Sequence, residues 1–286
     1  MPIILGLLTA LGWGTTDLLV RLAGRRVGVR RAMLLSQCIG LGSLSVWIAV
    51  RPTSLSALGT SNPAGWIATF GAAVLNLGAT ASFFHGLTIG RLAIVSPVTA
   101  SYGAVTAVIA AAAGEAFSAL SAIGVALTVV GVALTSSTRG GGEQHESPSG
   151  LRWALLSALC FGAGSWLMGG IAVPAFGNLV PIWLYYLTGV ITLGLISRSV
   201  RGAQVRPGMG AWVLVGAMGL LGSASFVAFS TGLASGRVAI VTVLSSLSSA
   251  VTVLLARFVL SERLRRLQWA GVAVIVLGLM LINAGR

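Results

Sequence analysis

The sequence predicts an all-α integral membrane protein whose ten transmembrane helices form two inverted five-helix repeats. Hydrophobic residues make up 56% of the 286 positions and charged residues only 8%, whereas a soluble domain carries about 25% charged residues. The apolar residues fall into ten runs, each close to the roughly 20 residues that a helix needs to cross a bilayer. Three motifs also occur twice, in the same order and at a nearly constant separation.

The apolar runs define the expected membrane spans. These are 3–20, 32–50, 64–88, 92–113, 119–136, 153–172, 179–197, 211–231, 238–258 and 268–284. Most connections between them are short. The longest polar one is "STRGGGEQHESPSGLR" (137–152), and its Gly, Ser and Pro content predicts a flexible linker. The linker separates a first repeat, 1–136, from a second repeat, 153–286.

The repeated motifs establish the duplication. "LLTALGWG" begins at 7 and "LLSALCFG" at 155, "GRLAIV" at 90 and "GRVAIV" at 236, and "IGVALTVVGVAL" at 123 and "AGVAVIVLGLML" at 270. The separations are therefore 148, 146 and 147 residues. Because each repeat contains an odd number of spans, the second must enter the membrane from the opposite face. Inverted repeats of this kind are typical of secondary transporters that work by alternating access.

The same motifs resemble a known family. "ALGWG" in the first span, "GRLAIVSPV" opening the fourth, "GE" at 114–115 and "GVALTVVGVAL" in the fifth are similar to EamA-type members of the drug/metabolite transporter superfamily. The second half repeats them as "ALCFG", "GRVAIVTVL", "SE" at 261–262 and "GVAVIVLGLML". The resemblance covers essentially the whole chain. It implies ten helices and the transport of amino acids, other metabolites or drugs, more often outward than inward.

The charge distribution predicts a membrane orientation. The net charge is +13, but the Arg residues lie between the apolar runs, which indicates membrane loops and not a nucleic-acid surface. By our count 15 Arg lie on the face opposite the termini and three, Arg51, Arg237 and Arg286, on the face of the termini. The positive-inside rule then places both termini outside, in a bacterial inner membrane. The resemblance implies the reverse, with the termini in the cytoplasm.

Asp17 is the first candidate for the transport site. An ionisable group inside a span is energetically costly and is a functional hypothesis by default. Asp17 could bind the ammonium group of a substrate or carry a proton, and Trp13, one helical turn earlier on the same face, could add a cation–π contact. Two alternatives are an ion pair between Asp17 and Arg21 and ordinary packing of Trp13.

The third span contributes two further candidates. His85 titrates near neutral pH in its ordinary state, so it is a second candidate proton carrier, although a structural role is the alternative. Asn76 would need a hydrogen-bond partner across a helix interface, and its alternative role is to hold two helices together.

Polar segments in the fourth and ninth spans predict the cavity lining. "SPVTASYG" (96–103) contains Ser101 and Tyr102, and "TVLSSLSS" (242–249) contains Ser245 and Ser248. Broken, polar spans often line a cavity, so these two equivalent segments are expected to face each other across the pseudo-twofold axis. Hydroxyl groups that bond back to their own helix are the alternative. Trp166 is a further candidate in the sixth span, where Ser165 stands in the place of Asp17.

Four charged residues are structural or gating candidates. Arg91 and Arg237 occupy equivalent positions in the repeated hexapeptide and are expected on opposite faces of the membrane. Glu115 and Glu262 follow the fourth and ninth spans, where carboxylates suit the positive end of a helix dipole.

These observations predict a secondary active transporter of a small organic metabolite, such as an amino acid or an amphipathic amine, with alternating access at a central cavity. An exporter is favoured over an importer. A passive channel or facilitator, or a flippase without ion coupling, remains the alternative. An enzyme is not expected, because the sequence offers no convincing nucleophile–base pair and no cluster of metal ligands. We expect no cofactor and no nucleic acid as partner; protons, lipid and a second copy of the chain are the remaining candidates.

Overall fold

The ten expected spans appear as helices in the computed structural model, which describes residues 2–50, 63–89, 95, 98–115, 118–136, 148–199, 208–235, 237–260 and 266–284. We number the helices in chain order. They are α1 (Pro2–Val27), α2 (Val29–Val50), α3 (Pro63–Ile89), α4 (Tyr102–Ala112), α5 (Ala119–Ser136), α6 (Pro148–Leu167), α7 (Val173–Phe176), α8 (Val180–Ser199), α9 (Met209–Leu233), α10 (Val238–Ser245), α11 (Ser248–Leu260) and α12 (Arg266–Ala284). A π-helical segment, Met168–Ala172, joins α6 to α7 within the sixth span.

Five helical segments of the described chain are long and apolar enough to cross a membrane, by length and composition: Pro2–Val27, Val29–Val50, Pro63–Gly86, Gly150–Phe176 and Met209–Leu233. The remaining spans are shorter apolar helices. Large apolar side chains such as Leu8, Leu11 and Val74 are more than half exposed on the outer surface, as lipid contact requires. The prediction of an all-α membrane protein is confirmed.

The helix boundaries differ from the predicted ones at three places. The predicted Arg-rich loop 21–31 is almost entirely helical, because α1 and α2 meet at Gly28, whose φ of 82° permits a tight reversal. The sixth span begins at Pro148, inside the predicted linker, because proline fixes φ for the first turn of a helix. The ninth span is not one helix but two, α10 and α11.

The inversion is visible in how equivalent spans pair. The second and seventh spans, α2 and α8, run antiparallel, since Trp183 Nε1 donates to Ser45 Oγ at 2.9 Å while Gly189, further along α8, lies against Gln37, earlier in α2. The fourth span packs against α10 of the ninth. The fifth and tenth, α5 and α12, pack closely at Gly278, which lies against the backbone of α5 at Gly124. Three pairs of equivalent helices therefore meet each other, as a twofold pseudo-symmetry requires.

The last glycine of each "ALGWG" and "ALCFG" motif makes the same contact in both halves. Thr252 Oγ1 of α11 lies 3.2 Å from the carbonyl oxygen of Gly14 in α1. Thr106 Oγ1 of α4 lies 3.0 Å from the carbonyl oxygen of Gly162 in α6. Each glycine thus allows the first span of one repeat to approach the fourth span of the other. The motif similarity reflects one helix contact that is built twice.

Candidate functional site

A cavity of about 170 Å³ lies between the two repeats. Side chains from the first four spans of each repeat surround it, whereas none of the described residues of α5 or α12 takes part. All three tyrosines of the chain, Tyr102, Tyr185 and Tyr186, line it, together with Trp13 and four phenylalanines. The polar lining residues are Thr16, Asp17, Ser36, Gln37, Asn76, Thr80, Thr99, Ser165, Ser248 and Ser249.

Asp17 supplies the one carboxylate of the lining among the described residues, and no Arg of that part of the chain takes part. Thr252 Oγ1 lies 3.0 Å from Asp17 Oδ2, so the hydroxyl of the ninth span can donate to the carboxylate of the first. The equivalent position in the second repeat is Ser165, which is buried and also lines the cavity. The site therefore has negative charge on one side of the pseudo-twofold axis only. The alternative ion pair with Arg21 stays a prediction.

Aromatic rings form a continuous wall from Asp17 toward the second span. Trp13, one turn before Asp17, packs edge-on against Phe226 with ring centroids 5.6 Å apart. Phe226 stacks on Tyr185 at 5.0 Å and 18°. Aromatic faces carry partial negative charge, so such a wall suits a cationic ligand as well as an apolar one.

A second polar group lies at the far end of that wall. Gln37 Nε2 donates to the Tyr185 hydroxyl oxygen at 3.3 Å, and Thr80 Oγ1 lies 3.5 Å from the same oxygen. The other end of the Gln37 amide, Oε1, is buried without a hydrogen-bond partner. Because a buried polar atom is ordinarily paired, Gln37 has unused hydrogen-bonding capacity beside the cavity.

The polar segments of the fourth and ninth spans face each other, as expected. The hydroxyl oxygens of Tyr102 and Ser245 are 2.9 Å apart and join the two repeats. Both spans have a local break at equivalent residues, where Ser101 and Leu247 bond to the carbonyl three residues earlier in place of four. Thr99 also lines the cavity, and its Oγ1 is buried without a partner.

Five of the nine candidate site residues line the cavity: Trp13, Asp17, Asn76, Tyr102 and Ser248. Asn76 uses its Nδ2 within its own helix, where it donates to the Ala72 carbonyl at 2.8 Å. Its side chain also packs against Gly164 of α6. Asn76 thus contributes to both the cavity and a helix interface.

The other four candidates lie outside the lining. His85 is exposed near the end of α3, with its ring 4.7 Å from that of Trp153. Ser101 donates to the Val98 carbonyl at 2.7 Å, the local bond that was the alternative for hydroxyl groups. Trp166 packs against an apolar cluster between the fourth and ninth spans, and Ser245 contacts Tyr102 behind the cavity surface.

The "GE" motif ends one helix and caps another. Gly114 has a φ of 93°, and the N–H of Glu115 bonds to the Ala110 carbonyl at 2.9 Å, which closes α4. The Glu115 carboxylate accepts a hydrogen bond from the N–H of Ala239 in the first turn of α10, while burial raises the pKa of this carboxyl. The helix start that Glu115 contacts therefore belongs to the other repeat. Arg237 is exposed at the same place. Arg91, Glu262 and most of the linker lie outside the described residues.

The sequence interpretation missed Gln37, Thr80, Thr99, Tyr185, Tyr186, Phe161 and Phe226 as lining residues. Gln37 had a usable signal, since it is an amide inside an apolar run, as is Asn76. Phe161 also had one, because it occupies the position equivalent to Trp13. The remaining aromatic residues had none, because a membrane helix places Phe and Tyr against lipid, neighbouring helices or a cavity with similar ease.

Comparison with known proteins agrees with this architecture. A sequence profile described as the EamA-like transporter family matches residues 1–137 and again 148–284. A solved structure described as "Crystal structure of protein" is similar in fold, with a TM-score of 0.80 and 19% identity over 99% of this chain and 96% of that one. A search of curated proteins found no match.

The duplicated helical fold, the lipid-facing surface and the buried central cavity define a membrane transporter. Because the family profile matches nearly the whole chain as two repeats, the protein belongs to the EamA-like transporter family, within the drug/metabolite transporter superfamily.

Proposed function

We propose that the protein is a secondary transporter that carries a small organic amine through the cavity between the repeats, with Asp17 as the ammonium site. The observation that carries this proposal is the charge of the lining: one carboxylate, an aromatic wall and no Arg in the described part of the chain. An amino acid would bring a carboxylate of its own, for which this lining offers no cationic partner. An amine is therefore favoured over an amino acid.

The coupling ion in this proposal is the proton. One carboxylate can hold either a proton or an ammonium group, so occupation by one releases the other. Exchange across the membrane then follows when the two repeats alternate their openings. The direction favoured by the family is export, driven by proton entry.

A permanently charged amine tests the proposal without leakage through the lipid. Purified protein in liposomes that contain the pH dye pyranine is exposed to external phenyltrimethylammonium, which cannot deprotonate. We expect the lumen to become more alkaline as protons leave in exchange. Asp17→Asn should abolish the signal, whereas Glu115→Gln, the same acid-to-amide change outside the cavity, should retain it. Full exchange by Asp17→Asn would refute the assignment.

The pseudo-symmetry offers a stricter test of the carboxylate. Asp17→Ser should lose binding of the quaternary amine, and the double variant Asp17→Ser/Ser165→Asp should regain part of it, because Ser165 lines the same cavity from the equivalent position. Unlabelled amine inside the liposomes should also accelerate entry of labelled amine. This acceleration is expected for a carrier, and its absence would favour a channel.

A further inference from the structure

The two repeats place different side chains at one pair of equivalent cavity positions. The offset of 146 residues that relates "GRLAIV" to "GRVAIV" also pairs Thr99 with Ser245 and Tyr102 with Ser248. The phenol of Tyr102 reaches Ser245 across the repeats, with 2.9 Å between the hydroxyl oxygens. The symmetry-related contact would join residue 248 to Thr99. Ser248 has no ring with which to make it.

Thr99 shows the consequence of this difference. Its side chain is 6% exposed, and its Oγ1 is buried without a hydrogen-bond partner. A buried hydroxyl in that condition is unfavourable and is uncommon in folded proteins. Thr99 and Ser248 both line the cavity. The hydroxyl that would satisfy Thr99 is the one that Tyr102 supplies in the other half.

The surroundings of the missing ring are also reproduced. The ring of Tyr102 packs against Phe161, with centroids 5.9 Å apart. The position equivalent to Phe161 is Trp13, which lines the cavity. Thr252, one turn after Ser248, holds the Asp17 carboxylate at 3.0 Å. An aromatic ring beside Ser248 would therefore have Trp13 as its packing surface and a carboxylate nearby.

We propose that this side of the cavity is a subsite for a hydroxylated aromatic ring of the substrate, which takes the place that the Tyr102 phenol takes in the first repeat. The ligand hydroxyl pairs with Thr99 Oγ1, and its ring packs on Trp13. This inference rests on the proposed function, because the amine of the same ligand binds Asp17. The substrate class is then a phenolic amine.

Two amines that differ by one hydroxyl group test the subsite. Tyramine and phenethylamine are titrated into the purified full-length protein at neutral pH, where both are protonated, and their dissociation constants are measured by calorimetry. We expect tyramine to bind about tenfold more tightly, because its hydroxyl pairs with a group that is otherwise unsatisfied. If both bind with equal affinity, the subsite is refuted while the amine site stands. If neither binds, the proposed function fails and the subsite with it.

Thr99→Val removes the hydroxyl and keeps the shape of the side chain. We expect it to weaken tyramine about tenfold and to leave phenethylamine unchanged. Thr128→Val is the matched control, since Thr128 is buried in α5 away from the cavity and bonds to the Gly124 carbonyl; it should change neither affinity. An equal loss for both amines in Thr99→Val would overturn the proposal.

Ser248→Tyr provides a test with the opposite expectation. The new phenol would occupy the subsite and pair with Thr99, as Tyr102 pairs with Ser245. We expect a raised apparent melting temperature together with loss of tyramine binding. A stable variant that still binds tyramine with wild-type affinity would show that the ring of the ligand lies elsewhere.

Discussion

Gly14 makes the closest approach between the first span and the ninth, and Gly14→Ala measures how much the site depends on it. A Cβ at Gly14 would lie 2.6 Å from Val251 Cβ and 2.7 Å from the carbonyl oxygen of Ser248. Carbon atoms in contact ordinarily stay about 3.5–4.0 Å apart. The carbonyl belongs to the helix backbone and cannot turn aside, so α1 and α11 must separate by about 1 Å to remove the clash.

That separation acts on stability and on the site together. Overpacking of this kind costs about 1–3 kcal/mol, which corresponds to a fall in melting temperature of about 2–4 °C for each kcal/mol. The 3.0 Å contact between Thr252 and Asp17 would lengthen beyond hydrogen-bond range. Amine affinity should therefore fall along with the apparent melting temperature in detergent.

The control for this prediction is Gly42→Ala, because a Cβ at Gly42 meets nothing within 4 Å. Alanine also favours a helix over glycine, so this variant should be at least as stable as the wild type. Gly162→Ala repeats the clash in the other half, where the Cβ would lie 2.5 Å from Val105 Cβ, and should lose similar stability. If Gly14→Ala melts like Gly42→Ala, the close contact of α1 with α11 is refuted.

Two further predictions concern pH and orientation. Burial raises the pKa of Glu115 above its usual 4.5, so its protonated form stabilises the fold below that pH and the contribution is lost as the pH rises through the raised pKa; the melting temperature of the wild type relative to Glu115→Gln should therefore increase as the pH falls from about 7 to about 4, and a constant difference would contradict the shift. In a variant with Cys38 and Cys160 replaced by alanine, an impermeant thiol reagent added to intact cells should modify Arg237→Cys and spare Arg30→Cys, since the Arg distribution places these exposed positions outside and inside; the reverse pattern would place the termini in the cytoplasm.

The residues that the sequence located correctly share one physical property. Asp17 and Asn76 carry groups that lipid cannot solvate, so a position inside a span directs them to the protein interior. His85 lies close to the end of α3, where an ionisable ring can be exposed without facing a cavity. The apolar pattern of the third span does not distinguish these two situations, because both residues lie in the same run.

The aromatic wall was beyond the reach of sequence patterns. Phe226 and Phe229 are one turn apart on α9, yet Phe226 lines the cavity while Phe229 is fully buried against Trp13. Both are apolar residues of the same size on the same face of one helix. Which of them borders open space depends on the side chains that other spans bring to that place.

Hydrophobic length and an odd number of spans per repeat are properties of the chain alone, and they determined the helices, the duplication and its inversion. The motifs likewise identified the glycines and the one carboxylate, because lipid admits few exceptions to burial of charge and close packing of small residues. The tertiary structure decided which faces meet. Thr99 lacks a partner only because Ser248 is opposite it where the other repeat has Tyr102, and Asp17 shapes a site only because Thr252 and the aromatic rings of distant spans converge on it. Such juxtapositions arise from the packing of whole helices, which no local pattern records.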